Sequence, residues 1–242
     1  MADPTPGSHL VGLIRSTIPP IHHGGRPIVL GAAAGTVGAR FILRAVGLKR
    51  AGRVVGTAGL AATVASAAFF RAPKRVRPLG DGLVVAPADG LVSLVEQAPP
   101  PPELGLDPTP RTRVSIFLSI FDVHVQRIPV DGLITRVAYQ PGTFVSADLD
   151  KASEDNERNS LVIEATVGGQ LIVTQIAGLV ARRIVCDVVA GEPVLAGSTY
   201  GLIRFGSRVD TYLPPGTEVA VRQGQRAIGG ETVLGTLDRH GS

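Results

Sequence analysis

The sequence predicts a mainly β protein: a β-barrel or sandwich-like domain preceded by an N-terminal hydrophobic helical hairpin. Three observations carry this. From residue 72 onward, short segments rich in Val and Ile alternate with Gly, Pro and Asp turns, the spacing of an all-β or mainly β domain. Before it lie two Ala/Gly-rich apolar stretches. The mean hydropathy of +0.26 is high for a water-soluble chain and points to a membrane-associated part.

In chain order, residues 1–27 are rich in Pro, Gly, Ser and His and read as a flexible lead-in. They lack the charged-then-apolar order of a signal peptide, and the adjacent His22 and His23 read as solvated. Residues 28–71 form the hydrophobic helical region. Ile28 to Leu48 contains Arg40 and Arg44, which reach water by snorkelling from near an end. Val54 to Phe70 is an uncharged run of 17 residues, at the lower limit for a spanning helix. Its many small residues allow close packing, and the two stretches pair as a hairpin around Lys49-Arg50. They cross the bilayer or lie in its interface, a reading preferred to a buried hairpin of a soluble protein.

Residues 72–242 form the β-rich domain. Its expected strands are Leu83 to Ala86, Gly90 to Glu96, Arg113 to Leu118, Gly132 to Tyr139, Ser160 to Val167, Gln170 to Ala177, Ile184 to Val188, Gly201 to Phe205, Asp210 to Leu213 and Glu218 to Val221. Ala98 to Pro110, rich in proline, reads as an exposed loop. The polar stretch Asp148 to Asn159 reads as a loop or short helix.

Charge and composition narrow the partners. The net charge is +4, much of it from arginines and lysines flanking the apolar runs. That placement suits an anionic cytoplasmic leaflet. Aromatic residues make up 4% and Trp is absent, which argues against a stacking platform for nucleic acid. The single Cys186 excludes an intramolecular disulfide framework and a cysteine zinc site, and reads as a small buried hydrophobe. There is no P-loop, no dinucleotide fingerprint after a strand and no HExxH metal motif.

The stretch Gly201-Leu202-Ile203-Arg204-Phe205-Gly206-Ser207-Arg208-Val209-Asp210 is the most informative. Glycine inside a strand marks a bulge or a close backbone approach, and permits strained conformations. A serine after it can turn its hydroxyl on the preceding carbonyl. The resulting ester, after β-elimination and loss of ammonia, leaves an N-terminal pyruvoyl group. A tight turn is the plainer reading of the pair alone.

Four further segments occur in order with it: Phe69-Phe70-Arg71-Ala72-Pro73, Ala86-Pro87-Ala88-Asp89-Gly90, Asp122-Val123-His124-Val125-Gln126-Arg127-Ile128-Pro129 and Asp150 to Asn159. Together, from about Phe69 to the C-terminus, they resemble the short form of the phosphatidylserine decarboxylase family. The resemblance implies decarboxylation of phosphatidylserine to phosphatidylethanolamine, with release of carbon dioxide. It implies self-cleavage between Gly206 and Ser207 into a large β chain, 1–206, and a small α chain, 207–242. These stay associated as a heterodimer, with a higher homo-oligomer possible. Ser207 becomes the pyruvoyl cofactor and binds the substrate amine as a Schiff base; no metal is required. The protein is then expected at the cytoplasmic side of the cell membrane, peripheral or anchored by its apolar region.

The resemblance also implies roles for His124 and Asp89. His124 is the expected proton donor, its near-neutral pKa suited to proton transfer. Asp89, which alone reads as a turn residue before glycine, is implied in self-processing. Longer members of the family process at Gly-Ser-Thr, and Gly197-Ser198-Thr199 offers such a sequence; the Arg-Phe-Gly-Ser-Arg context selects Ser207 instead. Longer members also carry a second histidine where this chain has Arg127, which stays protonated and is a poor base. Either His124 serves both steps, or Asp89 acts more directly. Arg127, Arg204 and Arg208 are candidates for the substrate's phosphate or carboxylate, or for structural ion pairs. Lys151 to Asn159 reads as a lid, an inter-chain contact or a solvated loop. Two other functions fit less of the sequence: a pyruvoyl decarboxylase of a soluble amino acid, and a non-enzymatic membrane-tethered β-barrel binding module.

Overall fold

A computed structural model describes residues 19–142, 156–178, 183–204 and 207–237. Two compact units divide the chain, residues 1–74 and 75–242.

The first unit is a helical hairpin. Helix α1 spans Arg26–Ala45 and α2 spans Lys49–Phe69. Pro27 sits in the first turn of α1, where its missing N–H costs nothing, so the helix begins two residues earlier than expected. The turn falls at Val46–Leu48, where Gly47 takes φ 84°, and Lys49 and Arg50 open α2 instead of forming the bend. Gly52, Gly56 and Gly59 let the helices approach: a Cβ on Gly59 would lie 2.2 Å from Thr36 Oγ1, and one on Gly56 3.0 Å from Arg40. Leu30, Val37, Phe41, Val54, Leu60 and Val64 are exposed, and both helices are long and apolar enough to cross a membrane. At the base of the hairpin His22 N donates to Phe70 O (2.9 Å) and Ala72 N to Pro20 O (2.7 Å). His22 is buried, with Nδ1 accepting from Gly24 N, and is not the solvated residue expected.

The second unit is β-rich. Its strands are β1 (Leu83–Val85), β2 (Gly90–Ala98), β3 (Arg111–Leu118), β4 (Val125–Arg127), β5 (Gly132–Gln140), β6 (Arg158–Ala165), β7 (Gln170–Ala177), β8 (Ile184–Cys186), β9 (Pro193–Val194), β10 (Thr199–Ile203), β11 (Ser207–Tyr212), β12 (Glu218–Val219), β13 (Arg226–Ala227) and β14 (Val233–Thr236). Eight of them form one curled antiparallel sheet in the order β13-β2-β3-β11-β7-β6-β5-β9. Two three-stranded sheets, β4-β10-β8 and β1-β14-β12, complete the unit.

Alternation along the strands gives the large sheet two faces. The concave face carries the main apolar core, with Val92, Ile116, Val209, Leu161 and Val173 among its members. The other face is also buried, and mixes charged side chains with a smaller apolar cluster that includes Leu104, Val162, Ile172 and Tyr212. Arg208 is 1% exposed and Asp210 fully buried. Nη2 of Arg208 donates to Asp210 Oδ2 at 3.1 Å; Nε lies 2.9 Å from Oδ1 but at an angle that makes no hydrogen bond, so the directed contact is the first. Arg113 lies beside Asp210 and pairs with Glu96.

That face overturns two expectations. Ala98 to Pro110 is not simply an exposed loop. A 3₁₀ turn at Pro102–Leu104 buries Leu104, and Glu103 accepts from Arg158 (2.8 Å) and Ser160 (2.9 Å). Burial pushes the Glu103 carboxyl up, but Arg158 and Ser160 outweigh it and hold it below its usual value. Arg158 and Asn159 are likewise buried strand residues and not part of a loop, because each has a partner inside. Asn156 and Glu157 of the expected lid are buried too, and its residues 151–155 lie outside the described residues.

Candidate active site

Ser207 is the first residue of β11, the strand between β3 and β7 near the middle of the large sheet. It pairs with Leu118 on one side and Ala177 on the other. Its side chain shares the concave face with Val209. The residue is fully buried, and its hydroxyl has no hydrogen-bond partner. Such a group ordinarily costs about 1–3 kcal/mol. Ser115, Tyr200 and Thr211 are also buried hydroxyls without partners. Ser207 differs from them in place: it stands where the chain leaves the small β4-β10-β8 sheet and enters the large one. Gly206 and Phe205 lie outside the described residues.

The turn after β3 carries His124. Ile203 N donates to His124 O at 3.2 Å, which fastens the histidine's backbone to the strand that leads to Ser207. His124 is 1% exposed, and its Nδ1 lies 2.9 Å from Asp122 O. A carbonyl can only accept, so Nδ1 carries the proton and Nε2 the lone pair in the neutral ring. Asp122 in turn accepts from Ser119 N and Oγ (both 2.8 Å) and pairs with Arg226 at 2.5 Å. Burial would raise the Asp122 carboxyl, but Arg226 and then Ser119 hold it below the usual carboxylate range.

A buried amide chain backs the histidine. Asn159 Nδ2 donates to Gln175 Oε1 (3.2 Å), Gln175 Nε2 to Gln126 Oε1 (3.0 Å), and Gln126 Nε2 to His124 O (2.8 Å). Gln126 and Gln175 are fully buried. The chain links β6 and β7 of the large sheet to β4 of the small one, on the face that carries Ser207. Sequence reasoning missed Gln126 and Gln175. The available signal was a glutamine in each of two Val/Ile-rich strands, where an unpartnered amide would be costly.

Asp89 precedes β2. Gly90 must approach β3 closely, since a Cβ there would meet Phe117 O at 2.3 Å. Asp89 Oδ2 pairs with Arg75 Nη2 at 2.6 Å, and Oδ1 accepts from Gly229 N at 2.8 Å. Arg127 N donates to Pro87 O, so β4 and the Asp89 turn are joined. Arg127 is buried, with Nη1 donating to Gly197 O at 2.8 Å. Burial and then the neighbouring Arg75 lower its pKa. The topology thus brings Asp89, His124 and Ser207 to one end of β2, β3 and β11.

The remaining candidates are placed differently. Arg208 points to the face opposite Ser207 and is tied to Asp210 there. Arg204 is half-buried, its backbone N donating to Arg183 O. Ser198 is exposed, and its hydroxyl donates to Leu195 O at 2.6 Å. Cys186 is half-buried and burial pushes its thiol up, away from the reactive thiolate. A cavity of about 390 Å³ lined by Arg77, Leu79, Val85, Val130 and Asp131 includes none of Asp89, His124 and Ser207.

A β-rich unit with a sequestered serine hydroxyl at the head of a central strand thus follows an apolar helical hairpin, and comparison with known proteins gives the class, a decarboxylase. The family model for phosphatidylserine decarboxylase matches residues 64–235. Three relatives are each called phosphatidylserine decarboxylase proenzyme. That of Saccharopolyspora erythraea is 57% identical over 97% of this chain and 96% of its own length. That of Mycobacterium sp. strain JLS is 57% identical over 94% and 92%, and that of Nocardia farcinica 56% over 95% and 92%. The chain belongs to the phosphatidylserine decarboxylase family. It is therefore an enzyme, a lyase of phospholipid biosynthesis, and the non-enzymatic binding module is set aside.

Proposed function

We propose that this chain decarboxylates phosphatidylserine to phosphatidylethanolamine with a pyruvoyl group made from its own Ser207. The observation that carries the reading is the Ser207 hydroxyl, buried and without a partner at the head of a central strand. Oγ attacks the Gly206 carbonyl carbon, the Gly206–Ser207 C–N bond breaks, and the hydroxyl proton passes to the freed amine. A base then takes the Ser207 Cα proton, and the Cα–Cβ double bond forms as the Cβ–O bond breaks and Gly206 leaves as a carboxylate. Water replaces nitrogen, and ammonia departs. The products are residues 1–206 and a 36-residue piece (242 − 206).

When formed, the pyruvoyl carbonyl would supply the electron sink that decarboxylation of an amino acid requires. The other steps belong to the protein. His124, with Nδ1 held by Asp122 O, presents the basic Nε2 and serves as proton donor when protonated. Asp89, held between Arg75 and Gly229, acts in self-processing. Arg127 and Arg204 are the cations offered to the headgroup, Arg208 being committed to Asp210. Ser207 is buried in the uncut chain, so the headgroup gains access to the new terminus only after cleavage. The apolar hairpin keeps the enzyme at the cell membrane, on the cytoplasmic side, where its substrate resides.

Intact mass of the purified protein tests this. We expect the two pieces, the smaller with a pyruvoyl end, and borohydride should fix phosphatidylserine but not free serine to it. A single chain of 25.1 kDa that still decarboxylates phosphatidylserine would overturn the cofactor.

A further inference from the structure

The turn between β3 and His124 exposes two large apolar side chains, Ile120 (60% exposed) and Phe121 (80%), between the buried Leu118 and the buried Val123. The turn is built, not loose. Asp122 N donates to Ser119 O at 2.9 Å, Asp122 Oδ2 accepts from Ser119 N and Oγ, and Oδ1 holds Arg226. The exposure is thus imposed by a fixed backbone. Arg226 is itself 63% exposed, and Leu91, its partner in β2, is also exposed.

We propose that Ile120 and Phe121 form a wedge that enters the interface of an anionic lipid bilayer, with Arg226 at the level of the headgroups. The proposal rests on the reading of the substrate as a bilayer lipid. Apolar residues beside a cation have the composition of an interfacial anchor, and the cation is drawn to an anionic leaflet. A protein partner fits less well: a stable interface buries about 800 Å² on each side, far more than two side chains offer, whereas a bilayer needs no complementary shape. The loop's ends are tied to the candidate site, since Leu118 pairs with Ser207 and His124 O with Ile203 N. Insertion of the tip therefore sets the depth at which His124 and Ser207 meet the headgroup.

The chain has no tryptophan, so one substitution makes a local reporter. Full-length protein carrying Phe121→Trp is mixed with vesicles of phosphatidylserine and phosphatidylcholine, and Ile120→Trp is the second variant should the first not fold. We expect a blue shift of the indole emission and loss of quenching by acrylamide, both weaker on phosphatidylcholine alone. Emission that stays water-like while the protein sediments with the vesicles overturns the wedge. A shift that follows protein concentration without vesicles also overturns it, because a second copy then covers the tip. The readout is independent of turnover. A decarboxylating protein with its indole in water sinks only the wedge, and an inserted indole on a protein that never decarboxylates sinks only the function.

Discussion

Ser198 and Ser207 each follow a glycine, nine residues apart, yet they occupy opposite environments. Ser198 stands in an exposed turn, and its hydroxyl is satisfied by the carbonyl of Leu195. Ser207 is sealed in the large sheet between Leu118 and Ala177, and its hydroxyl donates to nothing. A serine already hydrogen-bonded in water has little reason to react. One held dry, without a partner and beside a fixed histidine turn, has lost the solvation that would quieten it. The dipeptide is common to both; the surroundings separate them.

The largest effect should come from the two serines themselves. Ser207→Ala should leave one 25.1 kDa chain by intact mass, while Ser198→Ala should yield the same two pieces as the unmodified protein. Cleavage of Ser207→Ala, or its loss in Ser198→Ala, would break the comparison.

The ion pair behind Ser207 comes next. Asp210→Ala removes the carboxylate between the buried Arg208 and Arg113 and should cost about 3–5 kcal/mol in denaturant unfolding. Replacing both, as Arg208→Met with Asp210→Leu, should lose clearly less. Equal losses would show that the pair's charge is not what matters.

Gln175→Leu removes the middle of the amide chain and orphans Gln126 Oε1 and Asn159 Nδ2, at about 1–3 kcal/mol per group. We expect slower self-cleavage in stopped time courses, with a displaced pH profile because His124 is no longer held in place. A change in stability with cleavage rate and pH profile intact would reduce the amide chain to a structural role.

The smallest effect concerns acid. The folded pKa of Asp122 is depressed, so its contribution is full above the unfolded value, about 3.9, and is lost as pH falls through the lower folded value. Asp122→Asn should therefore flatten the fall of melting temperature below about pH 4 and leave the slope between pH 6 and 8 unchanged. Arg226 is largely exposed, which keeps the effect modest.

The alternation of Val and Ile with turn residues made most strands legible, including Gln170–Ala177 to the residue. The strands that escaped, Val125–Arg127, Pro193–Val194, Arg226–Ala227 and Val233–Thr236, have only two to four residues, too few to show a period, and exist through pairing with distant partners. Arg158, Asn159 and Glu103 looked solvated because polarity normally means water, and nothing local announces a partner 55 residues away. Ser207, His124 and Asp89 were legible as residues because their motifs resemble a family. Their contacts with Arg75, Asp122 and the glutamines were not, since those arise from sheet order alone.

The place of β11 has a last consequence. It is zipped on both edges, by β3 and β7, while β12, β13 and β14 of the same C-terminal segment are woven into two sheets. Cutting the chain before residue 207 would leave a fragment interlaced with its parent, unable to be exchanged or diluted away without unfolding the whole. A prosthetic group created there, as proposed above, would be issued once, at maturation, and could not be refilled from any cellular pool. A molecule whose carbonyl was spent would be finished, and the supply of active enzyme would follow the rate of protein synthesis, not that of any vitamin.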